Sequence, residues 1–535
     1  MKVKGLLLLL TLICSFIKGY AQAPQPEAHC PLSIVNYQLH RVPPRKEIRH
    51  KLKPYRQEPA YIPTEVTRAQ GEYIMQEFPT QGEIRGVVLL VAFQDVEFCM
   101  PDDSIRTLLQ ARYDGDNYSE YIEHKEYSEV DERVIGVRAT IPGSARDYFR
   151  EMSMGQFTPH FDVVGPITLD NPRSYYGSNT ASGRDKNPRA MITEACHKAH
   201  DQQLVDFANY DANDDGTVDF VYVVYAGSDE AQTGIEECVW AHSSSLSLSL
   251  GHMRIGHYAC SGELFIDLPN LPAGIGTFVH EFSHILGLPD FYNTQTDDFT
   301  MDVWSVMDYG MYNRGGFVPC AYTAFERYSL GWLPMQTLDA PATMSIGTTD
   351  EERTGYRIFT SDIDSTSLIS EADTASFYLI ENIRKEGWNS YAYAEGLLIS
   401  EGLLISEVTY KASAWENNTV NTGTHRHCIV PANNRYHYDT PEKALYGIDN
   451  HEFSLTSTPA SITKYGASMD KPLTDIRYDA ETGKTSFHFR GGNSIKNLPI
   501  ANHQTPIKYD LSGRPIHQST EGIYIQKGKK HLNTR

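Results

Sequence analysis

At 535 residues, 40% hydrophobic and 21% charged, the chain has the composition of a folded globular protein, not of a coiled coil, a collagen or a disordered polymer. At roughly 100 to 200 residues per domain it is long enough for several domains. The 47 Lys and Arg against 68 Asp and Glu leave a net charge of -21, which excludes broad attraction to a nucleic-acid backbone or an anionic membrane surface.

Lys2 and Lys4 precede an apolar run from Gly5 to Ile17, and Gly19, Tyr20 and Ala21 offer a small-residue cleavage site. This is the pattern of a secretory signal peptide over residues 1–21. The run is too short to span a bilayer comfortably and no later apolar stretch is longer, so the mature chain is expected to carry no transmembrane segment. Residues 22–82 are rich in proline and carry Arg41, Arg45, Lys46, Arg49, Lys51, Lys53 and Arg56, which suits a pro-segment with exposed basic cleavage sites. Of the 8 cysteines, Cys30, Cys99, Cys196, Cys238, Cys260, Cys320 and Cys428 lie beyond the signal peptide. None forms a CxxC pair, which argues against a thiolate zinc ribbon, and in an exported chain disulfides among some of them are expected. Cys30 in the pro-segment could hold a zinc site shut by its thiolate; the alternative is a segment that blocks a cleft by bulk.

A catalytic unit is expected over residues 83–337. Gly86–Phe93 reads as a buried strand, Asp147–Met152 as a helix behind the start signal Gly143-Ser144, and Phe220–Tyr225 as a second buried strand. Strands alternating with helices up to Trp332 indicate an α+β, or mixed α/β, fold. Between these strands, Asp211, Asn213, Asp215, Thr217 and Asp219 occupy the odd positions of an EF-type Ca²⁺ loop with Gly216 at its turn. Tyr222 stands where the bidentate glutamate belongs, so the loop is incomplete, and an Asp/Asn-rich turn is the plain alternative.

The stretch that carries chemistry runs from Gly274 to Asp290 and contains His280-Glu281-Phe282-Ser283-His284. Residues four apart share a helix face, so His280 and His284 can present two imidazoles to one Zn²⁺ with Glu281 beside the open position as general base. Gly287 lets the chain leave the helix and return Asp290 toward the metal. Asp290 is the third ligand by spacing, with Asp302 as the alternative. Further on, Trp304 to Gly310 looks like the Met-turn of metzincins, with Met307 beneath the metal and Tyr309 placed to hydrogen-bond a tetrahedral intermediate.

After about Thr337 the texture changes to short aromatic and Thr/Ser-rich strands, among them Phe377–Ile380, Phe453–Ser457 and Thr485–Phe489. A β-sandwich accessory domain is expected over residues 338–492. Within it Glu395–Ser400 is repeated at once as Glu401–Ser406; a step of six keeps the alternation of a strand while lengthening it. Residues 493–535 read as a linker and a terminal β-hairpin turning at Gln526-Lys527-Gly528.

Several of these segments together resemble a known family. They are the opening strand ending at Asp95, Gly143–Gly155, Tyr210–Asp219, Tyr258–Glu263, the zinc helix, and Glu326–Trp332. Over roughly Gly86 to Gly492 the chain is similar to the immune inhibitor A-like secreted metalloproteases. The resemblance implies a zincin or metzincin-like zinc endopeptidase acting on protein or peptide substrates, with an N-terminal latency segment. Where that family continues Gly-Leu-Leu-Ile with an aromatic, His, Val and Asp, this chain has Ser406, Glu407, Val408 and Thr409. The tail from Tyr509 through Gly522-Ile523-Tyr524-Ile525 to Lys530 resembles the sorting signals of bacterial type IX secretion, which implies export through the periplasm to the surface or medium. Two rival readings fit less well: a non-catalytic, metal-stabilised surface adhesin has no use for Glu281, and for a glycan or ester hydrolase the sequence offers neither a paired-carboxylate site nor a Gly-x-Ser-x-Gly elbow.

Overall fold

The computed structural model describes residues 79–491, with breaks at 129–132, 213, 266–270, 297, 361–374, 391–400, 424 and 437–442, and four short strands between 508 and 533. The signal peptide, nearly all of the pro-segment with Cys30, Asn213, and the first hexapeptide copy lie outside the described residues.

The first half is built on one largely parallel sheet. Its strands are β1 (Gly82–Ala92), β2 (Phe157–Thr168), β3 (Thr217–Val218), β4 (Val221–Ser228), β5 (His242–Leu250) and β6 (Met253–Leu264). The spatial order is β2-β1-β4-β6, with β3 pairing parallel to β6 ahead of β4 and β5 antiparallel on the other edge of β6. β1 is central and buried on both faces, which is why its sequence is a continuous apolar run instead of an alternating one.

Alternate residues of that run feed two different cores. Val88 and Leu90 join Tyr222 and Val224 on the face covered by the helices α1 (Asp102–Asp114), α2 (Ala145–Met152) and α4 (Gly276–Ile285). Val87, Leu89 and Val91 join Val221, Val223 and Tyr225 on the opposite face, against α3 (Pro188–Asp201). α2 begins two residues ahead of the helix expected from the sequence. Its cap is the predicted Ser144, whose hydroxyl accepts from the Asp147 amide while Asp147 accepts from the Ser144 amide.

The second half carries two further sheets. One is five-stranded: β7 (Met335–Thr337), β9 (Gly355–Phe359), β10 (Ala375–Ile383), β11 (Gly402–Tyr410) and β12 (His427–Ile429), antiparallel except for the β7–β9 pair. The other joins β8 (Ala342–Ile346), β13 (Leu473–Asp479) and β14 (Lys484–Phe489). Ile358, Ile380, Leu403 and Ile405 share a buried cluster with Met344, Phe487 and Phe489 of the smaller sheet. The other face of the five-stranded sheet, with Phe359, Phe377, Leu404 and Val408, belongs to the same cluster as α4. The second hexapeptide copy lies largely in β11, which is buried on both faces.

Two expectations fail here. Phe453–Ser457 is no strand: only Phe453 bridges Leu473, and the Ser454 hydroxyl accepts from the Thr456 and Ser457 amides, so the serine closes a turn that competes with the ladder. The expected disulfides are likewise absent among the described residues. Cys99, Cys196, Cys238, Cys260, Cys320 and Cys428 form no disulfide with one another, and all but Cys99 are buried. In the tail, Gly522–Gln526 pairs antiparallel with Lys529–Asn533, with Gln526 opposite Lys529, and Lys508–Tyr509 and Pro515–Ile516 add two short strands.

Candidate active site

α4 turns Phe278 and Phe282 into the sheet core, where they meet Tyr222, Phe161 and Phe220. Thr277, His280, Glu281 and His284 lie on the other side of the same helix and line a cleft. The start of the helix is pressed against the turn at Tyr309–Tyr312: a Cβ on Gly276 would stand 2.0 Å from the Met311 carbonyl oxygen. At its end Gly287 adopts φ +100°, in the left-handed region, and redirects the chain so that Asp290 returns to the helix.

Two backbone carbonyls fix the imidazoles. His280 Nδ1 lies 2.8 Å from the Val306 carbonyl oxygen and His284 Nδ1 lies 2.7 Å from that of Leu288. A carbonyl can only accept, so Nδ1 carries a proton in both rings, and in the neutral form of each the lone pair is on Nε2. Asp290 Oδ1 stands 3.3 Å from His280 Nε2 and 3.1 Å from His284 Nε2. Donors about 2.0–2.1 Å from one zinc ion at tetrahedral angles are about 3.3 Å apart, and both distances from Asp290 Oδ1 match that spacing. Among the described residues, His280, Glu281 and His284 form the one cluster of potential metal-binding side chains whose ligand atoms converge.

The electrostatics agree with the geometry. Burial and the nearby Asp290 carboxylate raise the Glu281 carboxyl to about 7, against the pull of His280 and His284. Its Oε2 is buried and without a hydrogen-bond partner. Burial lowers the affinity of His284 for a proton, but attraction to Asp290 outweighs it and lifts the imidazole to about 9. In turn His284 and His280 hold Asp290 well below the ordinary carboxylate range despite its burial. A bound cation would displace the imidazolium proton and take over the role of countercharge.

The other predicted residues fall as follows. Met307 is fully buried, and its carbonyl accepts the Phe291 amide at 2.7 Å, which ties the turn beneath His280 to the segment carrying Asp290. Tyr309 is buried on the cleft wall. Asp302 lies in a short turn with φ +54°, its amide donating to Asp308 at 2.6 Å; Asp290 is the carboxylate that meets the imidazoles. In the 211–219 loop the Asp211 carboxylate accepts from the Asp215 and Gly216 amides, Asp215 from Thr217, and Asp219 from Ala212. These carboxylates close the turn on itself, no cluster of them converges among the described residues, and the geometry gives calcium no support. Glu407, at the position where the sequence departs from the family pattern, is buried and accepts from the Lys464 amide.

Two residues escaped the sequence. Tyr292 lines the cleft, and burial together with Asp290 keeps its phenol protonated and able to donate. Asn418, which carries no motif, hydrogen-bonds Asp290 from a loop 128 residues downstream.

Residues 79–336 match the family model of the immune inhibitor A peptidase M6 catalytic domain. The chain is 27% identical over 195 residues to immune inhibitor A of Bacillus thuringiensis subsp. alesti, a stretch covering 31% of this chain and 28% of that protein. It is 24% identical over 280 residues to the pre-pro-metalloprotease PrtV of Vibrio cholerae serotype O1, covering 46% of this chain and 29% of the relative. The chain thus spans less than a third of the length of the curated relatives it matches. The first half of the chain is thus similar to a peptidase M6 catalytic domain, and its mixed α/β architecture is consistent with that likeness.

Proposed function

We propose that the protein is a secreted zinc endopeptidase made as a latent precursor. The observation that carries this reading is the approach of the His280 and His284 Nε2 atoms to one carboxylate oxygen, at 3.3 and 3.1 Å, beside a buried glutamate. His280, His284 and Asp290 would hold the ion, which when bound lowers the pKa of a water to about 7 and polarises the scissile carbonyl.

Glu281 takes the proton from the attacking water and returns it to the leaving amine. Its Oε2, buried among the cleft side chains, is free of other hydrogen bonds among the described residues and so can take and return that proton. The Tyr309 hydroxyl, on the cleft wall, donates to the oxygen that gains charge as the carbonyl becomes tetrahedral. Met307 forms the floor beneath His280 in the manner of a metzincin Met-turn.

Latency and export rest on the sequence: the signal-peptide pattern of residues 1–21, the basic pro-segment 22–82 and the tail within 493–535, read as the handle for the export machinery. One relative is a pre-pro-metalloprotease, which supports the first two. Among the described residues no helix is long and apolar enough to cross a membrane. Residues 83–337 form the catalytic domain and 338–492 the β-rich accessory domain. Cys30 is the candidate thiolate for latency.

The test is to incubate the purified, processed protein with an unstructured protein and sequence the cleaved bonds with and without a zinc chelator. Internal bonds should be cut, cutting should stop with chelation, and zinc should restore it. Cleavage indifferent to the chelator would overturn the proposal.

A further inference from the structure

We propose that Asn418 is a positioning residue of the metal site, setting the one orientation in which Asp290 can serve as a monodentate ligand; the inference rests on the zinc reading above. The Asp290 side chain is 1% exposed, and its two oxygens have different surroundings. Oδ1 faces both Nε2 atoms, while Oδ2 accepts from Asn418 Nδ2 at 2.7 Å. The same amide also accepts the Asp290 main-chain N–H on its Oδ1 at 2.6 Å.

One amide group therefore grips both the main chain and the carboxylate of a single residue. The ring so formed fixes the side-chain torsions of Asp290, occupies Oδ2 and leaves Oδ1 for the metal. A neutral amide suits this: from two separate atoms it donates to a carboxylate and accepts from an N–H without adding charge. Alanine would leave both partners unmet, and aspartate would set a second carboxylate against the first.

The loop that delivers Asn418 is itself fastened to the chain following Asp290. Asn418 follows the helix Ala412–Glu416 at φ +52°, a conformation asparagine tolerates better than most residues. Asn421 Nδ2 donates to the Phe291 carbonyl at 2.6 Å and to that of His427 at 2.7 Å, and the hydroxyls of Thr294 and Thr422 hydrogen-bond each other. The loop lies beyond the residues that match the peptidase family model, so the second half of the chain supplies part of the metal site.

The test measures the zinc dissociation constant of the full chain by chelator competition, with the unfolding midpoint of the zinc-free protein and the visible spectrum of the cobalt(II) form as companions. Asn418→Ala should weaken zinc binding about 10–100-fold, the usual effect of losing a hydrogen bond to a ligand. Asn418→Asp keeps an acceptor for the Asp290 amide but loses the donor to Oδ2. It should weaken zinc at least as much and alter the cobalt spectrum, and the repulsion between the two carboxylates should lower the zinc-free midpoint as well. Asn417→Ala, which removes only a bond to the Ser413 carbonyl at the surface, should change neither. Parental zinc affinity in both Asn418 variants would overturn the assignment, as would an Asp variant whose affinity and cobalt spectrum are unchanged. If the parent itself binds no zinc that His280→Ala removes, the zinc reading fails, a result distinct from a failure of the Asn418 assignment alone.

Discussion

Asp290 shows what spacing can and cannot say about a site. Its distance from His280 along the chain made it the favoured ligand over Asp302, and the structure brings its Oδ1 to both imidazoles. Asp290→Ala should therefore lower zinc affinity by several orders of magnitude, and Asp302→Ala should leave it within about tenfold, as read by chelator competition. The reverse order would reassign the third ligand. What holds the ligands was not legible. The Val306 and Leu288 carbonyls that fix the imidazoles have no side-chain signature, and Asn418 is one of many asparagines until the fold brings it 128 residues back. The calcium pattern was legible, but it does not decide for an ion, because Asp and Asn close turns on backbone amides whether or not one is present.

Asp185 offers a second prediction at the residue scale. Burial, with the neighbouring Glu230, raises its carboxyl to about 8, although the Trp240 amide donates to it. A folded value above the unfolded one, about 3.9, means that the fold prefers the protonated form. The associated stability is complete below the unfolded value and is lost as pH rises through about 8. Asp185→Asn, which keeps an acceptor for the Trp240 amide, should gain on the parent in unfolding midpoint as pH rises across that window. A gap that stays constant with pH would contradict this.

At the scale of the element, α4 is set by its contacts more than by its propensities. Its first residue, Gly276, lies so close to the Met311 carbonyl that a methyl group cannot enter without moving one chain. Gly276→Ala should cost about 1–3 kcal/mol, measured by urea unfolding, and should weaken zinc binding because it shifts the helix bearing both imidazoles. Alanine is the better helix former, so a stabilised variant would show that the close approach does not matter. Buried strands were legible from runs such as Gly86–Phe93, and α2 from its cap. The Phe453–Ser457 turn was not, since its apolar residues fit a strand and only the Ser454 hydroxyl decides otherwise.

Across the whole molecule, the change of texture near Thr337 marks a change from mixed α/β to antiparallel sheets but no break in the core. Phe359, Phe377, Leu404 and Val408 are buried in one cluster with Phe278 and Phe282 of α4. No local pattern announces such packing, because each strand needs only an apolar face and the partner is chosen by the fold. The two halves should therefore unfold together, with tryptophan fluorescence and far-ultraviolet circular dichroism giving one midpoint. Leu404→Ala, at a site 1% exposed, should lower that midpoint with a cost of about 2–5 kcal/mol. Two well-separated transitions would show that the second half stands apart.

The central claim is that Glu281 moves protons at a metal held by its neighbours and holds no metal itself. The most direct measurement is the zinc content of Glu281→Ala alongside its rate of cleavage of an unstructured protein. The account predicts about one zinc per chain with cleavage reduced about 10²–10⁴-fold, the usual worth of a positioned acid and base. Full zinc occupancy with undiminished proteolysis would contradict it.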